Sequence, residues 1–444
     1  MNSNVLRFAT LSLAILLVGC QPRTKNTGPT VRQPPTKPAA SAPMTFSLCA
    51  DGLPTTGMWK CDPVVADFNG DDIPDIAALP RLGNGPRVWL GDGKGSWTES
   101  SAGLKYDTAS CGGGVAVDDI NRDGYPDLAI GDHCQGVYVF LGDGKGNWRV
   151  STKSLHPDAA PGGVAEDYLG AEDIDLGDVN SDGFLDMIAI AQDEGGVTLY
   201  LGDGTGSGWV RQESTTLPTK GWGNRVMFHD IDSDGFLDVI ASMGEGPRVW
   251  LGNGKGEWTS SSKGLPTPMA HGLFGGVAVG DVNGDKRLDL AFANWVDGPE
   301  VFLQNSDGSW KETPDVFPDM LGGAIGIELG DIDQDGSLDM LVSGRYGQDV
   351  GYVYGLFVLK GNGHGGWQYL KGTNLPESGL ATAWGVALND INRDGILDLI
   401  YATGGVVATD PLRREAAVAP RVQVWCTQLT SSEKAVLAKL DKAP

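Results

Sequence analysis

A nine-residue pattern of acidic and amide side chains, repeated seven times, constrains this chain more than any other feature. Each copy has Asp at positions 1, 5 and 9 and either Asn or Asp at position 3. Successive copies begin 52, 59, 52, 51, 50 and 59 residues apart. Repeats of this length indicate an architecture whose units bury their surfaces against their neighbours. They also explain how 444 residues fold without one oversized core, since single cores stop growing near roughly 250–300 residues.

The repeated pattern has the ligand order of a calcium-binding loop. A hard cation needs several oxygen ligands, which side chains at positions 1, 3, 5 and 9 and the carbonyl of position 7 supply, while glycine at position 6 permits the turn. Solvated acidic turns would not keep three positions fixed through seven copies. The predicted ligands of up to seven structural Ca²⁺ ions, with position 7 acting through its carbonyl, are Asp67, Asn69, Asp71, Ile73, Asp75; Asp119, Asn121, Asp123, Tyr125, Asp127; Asp178, Asn180, Asp182, Phe184, Asp186; Asp230, Asp232, Asp234, Phe236, Asp238; Asp281, Asn283, Asp285, Arg287, Asp289; Asp331, Asp333, Asp335, Ser337, Asp339; Asp390, Asn392, Asp394, Ile396 and Asp398.

The loops differ at position 6 and account for much of the acidity of the chain. Asp72 and Lys286 replace the glycine in the first and fifth loops, where we expect weaker binding. The predicted ligand positions of the loops hold 23 of the 57 acidic residues, and seven ions of two charges each would reduce the net charge from −24 to −10. The acidity argues against nucleic-acid binding, which requires a basic surface.

Each repeat unit contains the pattern of four short strands. One alternating apolar strand precedes the loop (residues 276–279), a second follows a loop (239–241), and a third ends in a glycine-rich turn (249–256). Four strands in each of seven units predict an all-β fold, a seven-bladed β-propeller with a calcium-binding loop between strands 1 and 2 of each blade. The fourth strands begin at tryptophans that we expect to pack within the blades: Trp97, Trp148, Trp209, Trp258, Trp310 and Trp367.

The ends of the repeat region predict how the ring closes. The seventh unit has a third strand at residues 422–425 but no glycine turn and tryptophan after it, and an unassigned strand at 45–48 precedes the first unit. Completing the last blade with the N-terminal strand removes exposed sheet edges. We therefore expect the propeller to span residues 44–428.

The N-terminus indicates export and anchoring. Residues 1–19 carry Arg7 before an apolar run that is too short to span a bilayer, as in a signal peptide. The run resembles the lipobox of bacterial lipoproteins, in which cleavage leaves Cys20 as the lipid-bearing residue; Gln21 after it favours the outer membrane in such proteins. An ordinary secretory signal with an incidental cysteine is the alternative. We expect a lipid-anchored protein of the bacterial cell envelope, at the outer membrane or cell surface, with no other membrane contact.

The segments that flank the propeller have their own composition. Residues 20–43 are rich in Pro and Thr and lack apolar periodicity, which predicts a disordered tether. Residues 429–444 begin with a capping-box sequence at 430–433, which predicts a short C-terminal helix and tail.

Five cysteines follow Cys20 in a protein whose export permits disulfides. Cys111 lies eight residues before a calcium loop and Cys134 seven residues after it, so the two face each other across one hairpin, and we predict that they form a bridge. Cys49 can pair with Cys426, which would secure the ring closure, or with Cys61. The spacing of the cysteines is not that of a zinc site.

Two segments carry a family resemblance. Residues 274–278 (Phe-Gly-Gly-Val-Ala) and 321–324 (Leu-Gly-Gly-Ala) are each followed by the acidic loop. With the loops, they resemble the FG-GAP or VCBS repeat propellers, the family that includes the N-terminal domain of integrin α subunits. The resemblance implies that the metal loops lie on one face of the ring and that partners dock on the opposite face.

By the same resemblance, four tryptophans belong to the partner face. Trp59, Trp222 and Trp384 precede first strands, and Trp295 follows a second strand. The longest loops of that face are 154–172 and 402–420. Loop tryptophans stack on sugars or anchor protein contacts, but they also serve to cap the central channel of a propeller, and the sequence does not separate these roles.

The function indicated by these features is binding. The five histidines lack metal-ligand spacing, and the chain has no nucleophile-elbow or phosphate-binding motif. We therefore expect a calcium-stabilised surface module, not an enzyme, that binds a protein or glycan. One alternative is a calcium-dependent polysaccharide lyase or hydrolase using groups among Glu166, Asp167, Glu172, Asp173 and Asp175, although such a cluster is more typical of a solvated loop. The other is a purely architectural envelope lipoprotein.

Overall fold

The computed structural model describes most of the repeat region. The described residues are 44–106, 109–155, 170–191, 196–212, 216–266, 274–313, 321–346, 354–377, 380, 383–403 and 421–429. The expected signal peptide, Cys20, the tether and the C-terminal helix lie outside them. The regular structure within these ranges is entirely β, and it includes no helix long and apolar enough to cross a membrane.

The strands form seven four-stranded antiparallel sheets. We number these blades in chain order. Blades one and two comprise β2 (Val64–Ala66), β3 (Asp75–Ala78), β4 (Arg87–Gly91), β5 (Trp97–Glu99) and β6 (Gly113–Asp118), β7 (Asp127–Asp132), β8 (Gly136–Gly142), β9 (Trp148–Leu155). Blades three and four comprise β10 (Asp173–Gly177), β11 (Asp186–Ile190), β12 (Val197–Gly202), β13 (Trp209–Arg211) and β14 (Gly223–His229), β15 (Asp238–Met243), β16 (Gly246–Gly252), β17 (Trp258–Ser260).

The remaining blades follow the same plan. Blades five and six comprise β18 (Phe274–Gly280), β19 (Asp289–Asn294), β20 (Gly298–Gln304), β21 (Trp310–Glu312) and β22 (Leu321–Gly330), β23 (Asp339–Tyr346), β24 (Tyr354–Gly361), β25 (Trp367–Tyr369). Blade seven comprises β26 (Ala383–Asn389), β27 (Asp398–Thr403), β28 (Val422–Leu429) and, from the N-terminal end, β1 (Met44–Leu48).

The ring closes through that N-terminal strand. β1 pairs antiparallel with β28, from Met44 opposite Leu429 to Leu48 opposite Trp425. The first and last strands of the repeat region therefore share one sheet, and the edge of β28 is covered. The seven-bladed propeller expected from the repeats is confirmed.

The first strand of each blade lies next to the first strands of its neighbours. β6 contacts β10, β10 contacts β14, and β18 contacts β22, which contacts β26. Glycines make this approach possible: a Cβ on Gly326 would lie 2.8 Å from the carbonyl oxygen of Trp384 in the next blade. The first strands thus surround the central axis.

Burial changes systematically across a blade. In β7, β11, β15, β19 and β27 every residue is buried, because a second strand packs against both neighbouring blades. In the fourth strands β5, β17 and β21 only the opening tryptophan is buried. The indoles also join blades: Trp148 Nε1 donates to the carbonyl of Ser100 (3.0 Å), and Trp310 Nε1 donates to that of Ser261 (2.8 Å). These tryptophans are packing elements.

Two disulfides join four of the five described cysteines. Cys49, just after β1, is bonded to Cys426 in β28, and Cys111 is bonded to Cys134. Cys61 remains a free, buried thiol, and burial raises its pKa to about 12. Cys111 and Cys134 also lie close to the carboxylate of Asp132, but the bridge uses both sulfurs and leaves no thiolate for a metal.

The two bridges predict different contributions to stability. We expect removal of the ring-closing bridge (Cys49→Ser with Cys426→Ser) to lower the free energy of unfolding by about 2.5 kcal/mol more than removal of the hairpin bridge (Cys111→Ser with Cys134→Ser), because the unfolded-chain entropy that a bridge removes grows with loop length, and the separations are 377 and 23 residues. Denaturant titration of both double variants measures the difference. Equal losses would contradict it.

Candidate metal loops and the opposite face

The seven acidic loops lie on one face of the ring. Each joins the first strand of its blade to the second, as in residues 119–126 between β6 and β7. Since every first strand runs towards its loop, the loops share this face, which we call the loop face. The starts of the first strands and the ends of the second strands lie on the other side, which we call the opposite face.

The loop backbone turns at two positions, not one. At position 4 of the seven loops φ lies between 58° and 77°, and at position 6 between 64° and 90°. Five loops have their glycine at position 6, whereas the first and fifth have it at position 4, as Gly70 and Gly284. Asp72 and Lys286 adopt the left-handed conformation instead (φ 64° and 68°), at a cost of about 1–2 kcal/mol each. The two departures from the sequence pattern therefore keep the shape of the loop.

Side chains at positions 1, 3 and 5 organise that backbone. In the second loop Asp119 accepts hydrogen bonds from the N–H groups of Asp123 (2.9 Å) and Gly124 (2.8 Å). Asn121 accepts another from Asp123 (2.9 Å), whose own carboxylate accepts one from Tyr125 (3.0 Å). In the fourth loop, the carboxylate oxygens of its first three aspartates lie within 4.8 Å of one another. In the fourth loop, the side-chain oxygens predicted for positions 1, 3 and 5 are thus gathered together.

The aspartate at position 9 is buried in all seven loops. One of its oxygens accepts a hydrogen bond from the N–H of position 2 at 2.8–3.2 Å, and the other accepts one from the end of the third strand at 2.7–3.0 Å. Asp75, for example, bonds Phe68 and Gly91. Burial raises the pKa of these aspartates to about 6 or 7. A nearby cation would favour their charged form.

The four tryptophans singled out from sequence lie on the opposite face in unequal settings. Trp59 is buried against Trp89, with ring centroids 5.2 Å apart, and donates to the carbonyl of Thr56. Trp222 and Trp295 meet edge to face at 6.5 Å and are half-buried. Trp384 is also half-buried. Most of loops 154–172 and 402–420 lies outside the described residues.

Trp384 is bordered by two cations. The Lys60 ammonium lies 5.3 Å from the centroid of its ring and the Arg81 guanidinium 5.7 Å from it, within the range of a cation–π contact. Lys60 also belongs to a buried ion-pair cluster. It contacts the carboxylate of Glu172, which is fully buried and also lies 2.9 Å from Nδ1 of His133. Burial alone would raise the pKa of Glu172, but Lys60 and His133 lower it to about 2.

The expectation of a solvated acidic loop is wrong for the described part of that cluster. Glu172 and Asp173 are buried, and Asp175 is half-buried, because Asp173 and Asp175 belong to the innermost strand β10. Their carboxylates accept hydrogen bonds from backbone N–H groups of β14, at Val226 (3.0 Å) and Phe228 (2.8 Å). They tie blade three to blade four. Glu166 and Asp167 lie outside the described residues.

An ion pair crosses the central axis. Arg225 in blade four donates from Nε to Asp62, just before blade one, at 2.7 Å. Blades one and four stand on opposite sides of a seven-membered ring, so this contact spans the channel. Five residues before each loop, three blades carry Asp62, Asp173 and Arg225, and the other four carry glycine. A Cβ on one of these glycines, Gly385, would lie 2.2 Å from Asp62 Oδ1, so the glycine makes room for the carboxylate.

Comparison with known proteins identifies the repeat. The model of the FG-GAP-like repeat matches residues 67–130, 119–189, 178–241, 230–292 and 281–342, together more than half of the chain. The chain belongs to the FG-GAP-like repeat family. Every match begins at position 1 of an acidic loop and runs through the next loop. The family model therefore matches across the first six FG-GAP loops.

Two solved structures share the fold at low identity. The crystal structure of BBS1N in complex with ARL6DN, soaked with lead, is 10% identical with a TM-score of 0.54 and covers 88% of this chain and 99% of that one. The same complex soaked with mercury is 8% identical with a TM-score of 0.52, covering 89% and 99%. A structure of an Agrocybe aegerita lectin, described for specific recognition of non-reducing terminal N-acetylglucosamine, is 18% identical with a TM-score of 0.47, covering 84% and 85%.

The donor chemistry of the FG-GAP loops fits a hard divalent cation. Each offers carboxylate oxygens, with a side-chain amide oxygen at position 3 in five loops, and no sulfur or imidazole, which is the ligand set that Ca²⁺ prefers. Among the described residues, side-chain cations contact loop carboxylates in the fifth and sixth loops only. Arg287 contacts Asp285, whereas Lys360 contacts both Asp333 and Asp335. The sixth loop therefore fits a metal ion least well.

Sequence reasoning missed the residues of the ion-pair clusters. Lys60, His133 and Glu172 come from three distant segments and form no local motif. Arg225 did carry a signal, because a charged residue in an inner strand of this fold requires a buried partner. Its partner Asp62 is 163 residues away, beyond the reach of any local pattern.

The buried cluster predicts the effect of removing its carboxylate. We expect Glu172→Gln to lower the free energy of unfolding at pH 7 by about 3–5 kcal/mol, because Lys60 would remain buried without its counter-ion. Because folding lowers the pKa of Glu172 to about 2, the advantage of the wild type should persist above pH 4.5 and disappear as the pH falls towards 2. Denaturant titrations across this range provide the measurement.

A double variant serves as the control. Replacing both partners (Lys60→Met with Glu172→Leu) removes the unpaired charge, so its stability should lie within about 1 kcal/mol of the wild type. A single variant that is as stable as the double variant would show that the ion pair does not contribute.

Proposed function

We propose that this FG-GAP propeller is a calcium-stabilised binding module of the bacterial cell envelope, anchored through a lipid on Cys20, and that it binds a protein or glycan on its opposite face. The observation that carries the proposal is the division of the ring between its two faces. Seven oxygen-rich loops occupy the loop face, whereas half-buried tryptophans occupy the opposite face, together with two cations beside Trp384.

Electrostatics support a structural role for calcium. Each loop crowds three or four aspartates into nine residues, and the one at position 9 is buried where ionisation is disfavoured. A divalent ion held by positions 1, 3, 5 and 9 and by the carbonyl of position 7 would neutralise this charge. It would stabilise the hairpin between the first and second strands, and binding that requires the folded loop adds directly to folding stability.

The opposite face supports binding in a different way. Trp384 presents aromatic surface beside the cations Lys60 and Arg81, and Trp222 and Trp295 form a second aromatic pair on the same face. Tryptophan and arginine are enriched among the residues that contribute most to binding energy at protein interfaces. Tryptophan rings also stack on sugars. A polar ligand with apolar surfaces, such as a glycan or a protein loop, matches this chemistry.

Binding is favoured over catalysis by the state of Glu172, a fully buried carboxylate on this face. Glu172 is held between Lys60 and His133, which keep its pKa near 2. A general acid needs a pKa near the working pH, and a buried carboxylate held by both Lys60 and His133 lacks both the proton and the freedom to transfer one. Turnover of a polysaccharide by the protein would favour the enzyme alternative, and neither binding nor turnover would favour an architectural role.

Calcium removal tests the structural role. We expect excess chelator to lower the melting temperature of the full chain, and re-addition of Ca²⁺ to restore it. Each site should contribute about 2.7 kcal/mol at a free Ca²⁺ concentration 100 times its Kd. Calorimetry with and without chelator measures this, with Mg²⁺ at the same concentration as the control. An unchanged melt in chelator would refute the role.

Substitutions on the opposite face test the binding site. Wild-type protein should bind glycans on an array or capture a ligand from envelope extracts, and it should not cleave what it binds. We expect Trp384→Ala and Arg81→Ala to weaken the interaction at least tenfold, since hot-spot residues contribute 2 kcal/mol or more, as an order of magnitude. Val210→Ala, on the exposed outer strand β13, is the matched control and should bind as the wild type does. Equal binding by all variants would place the site elsewhere.

A further inference from the structure

Blade six differs from the other blades at one position of its third strand. The end of each third strand bonds the aspartate at position 9 of its own loop, which aligns the seven strands residue by residue. The residue before this bond is Lys360 in blade six and Cys426 in blade seven. In the other five blades it is a leucine: Leu90, Leu141, Leu201, Leu251 and Leu303.

The Lys360 ammonium reaches the interior of the sixth loop. Its Nζ contacts the Asp333 carboxylate and lies 2.8 Å from Oδ2 of Asp335. These are positions 3 and 5, two of the four side chains that would hold a metal ion. The Asp333 side chain is fully buried, so this contact lies inside the loop and not on its surface. Arg287 in the fifth loop differs, because it contacts the single carboxylate of Asp285 and is more exposed.

The charge of the sixth loop matches the added lysine. This loop has aspartate at position 3, where five other loops have asparagine, so it carries four carboxylates instead of three. The positive charge of Lys360 offsets the additional carboxylate, so the ligand positions of the sixth loop together with Lys360 have the same net charge as the ligand positions of a loop with asparagine at position 3. The fourth loop also has four aspartates, but Leu251 stands at the position of Lys360 and no side-chain cation among the described residues contacts those aspartates. The two loops therefore form a natural pair for comparison.

We propose that Lys360 replaces the divalent ion of the sixth loop, so that blade six is clamped by the protein's own ammonium group while other loops bind calcium. The inference rests on the proposed calcium binding of the FG-GAP loops. An ammonium group among the ligands repels a dication. It also occupies two of the carboxylates that would bind the ion, which leaves too few of the six to eight oxygens that Ca²⁺ takes. The loop retains its shape because the lysine neutralises part of its charge.

The proposal predicts a specific effect of removing the lysine. The carboxylates of Asp331, Asp333 and Asp339 lie within 4.8 Å of one another, so the loop without Lys360 keeps the oxygen cluster of a metal site. Lys360→Leu restores the residue of five other blades and should add one bound Ca²⁺ per chain. Lys360→Met, which keeps a long unbranched side chain without its charge, should do the same. The reciprocal change in the fourth loop, Leu251→Lys, should remove one ion.

The test is the metal content of the purified full chain. Wild type, Lys360→Leu, Lys360→Met and Leu251→Lys are equilibrated with Ca²⁺, freed of unbound ions and measured by elemental analysis. Hydrogen exchange of the peptide containing residues 331–341 supplies a local readout. In the wild type, chelator should leave exchange of this peptide unchanged while it accelerates exchange of the equivalent fourth-loop peptide. In both Lys360 variants chelator should accelerate both.

The outcomes separate this inference from the proposed function. Equal ion counts in wild type and both Lys360 variants, or chelator-sensitive exchange of the wild-type sixth loop, would overturn the role of Lys360 and leave calcium binding by the other loops intact. No bound ion in any variant would overturn calcium binding itself, and the inference with it. If Leu251→Lys fails to fold, the two Lys360 variants still decide the question.

Discussion

The structure depends on a buried carboxylate that opens every second strand. In each blade this aspartate accepts one hydrogen bond from the start of the acidic loop and another from the end of the third strand, so three strands meet at one side chain. Burying the charge is unfavourable, as the raised pKa values show. The acidic loop above it is where a cation would offset that cost. The loop face and the packed interior of the blade are thereby linked in one electrostatic arrangement.

The seven blades meet the same requirement in different ways. The loop needs two left-handed residues, and its glycine stands at either one of them, as Gly70 in the first loop and Gly124 in the second. The central axis needs neighbouring inner strands to approach closely, and either glycine or a paired charge stands there, such as Gly385 beside Asp62. The backbone conformation of the loops is the same in all the blades, whereas the side chains that are compatible with it differ from blade to blade.

The sequence predicted the features that follow from the repeats and missed the ion pairs between residues far apart in the chain. Seven blades, the place of the loops and closure by residues 45–48 followed from periodicity, because each local pattern was present many times. The contacts of Arg225 with Asp62 and of Glu172 with Lys60 join residues far apart in the chain, so no local pattern contains them. The same limit explains why Glu172 resembled a solvated loop residue: its partners become visible only when the ring is closed.

Closure by β1 has a mechanical consequence. A pulling force transmitted through the chain before Met44 acts on the strand that completes blade seven, and it peels β1 from β28 beginning at the Met44–Leu429 pair. The Cys49–Cys426 bridge lies beyond the other end of β1, so peeling stops there. Tension would therefore detach the five residues of β1, while the disulfide keeps the ring of blades closed. In a tethered protein, such an arrangement limits the unfolding that a pulling force can cause.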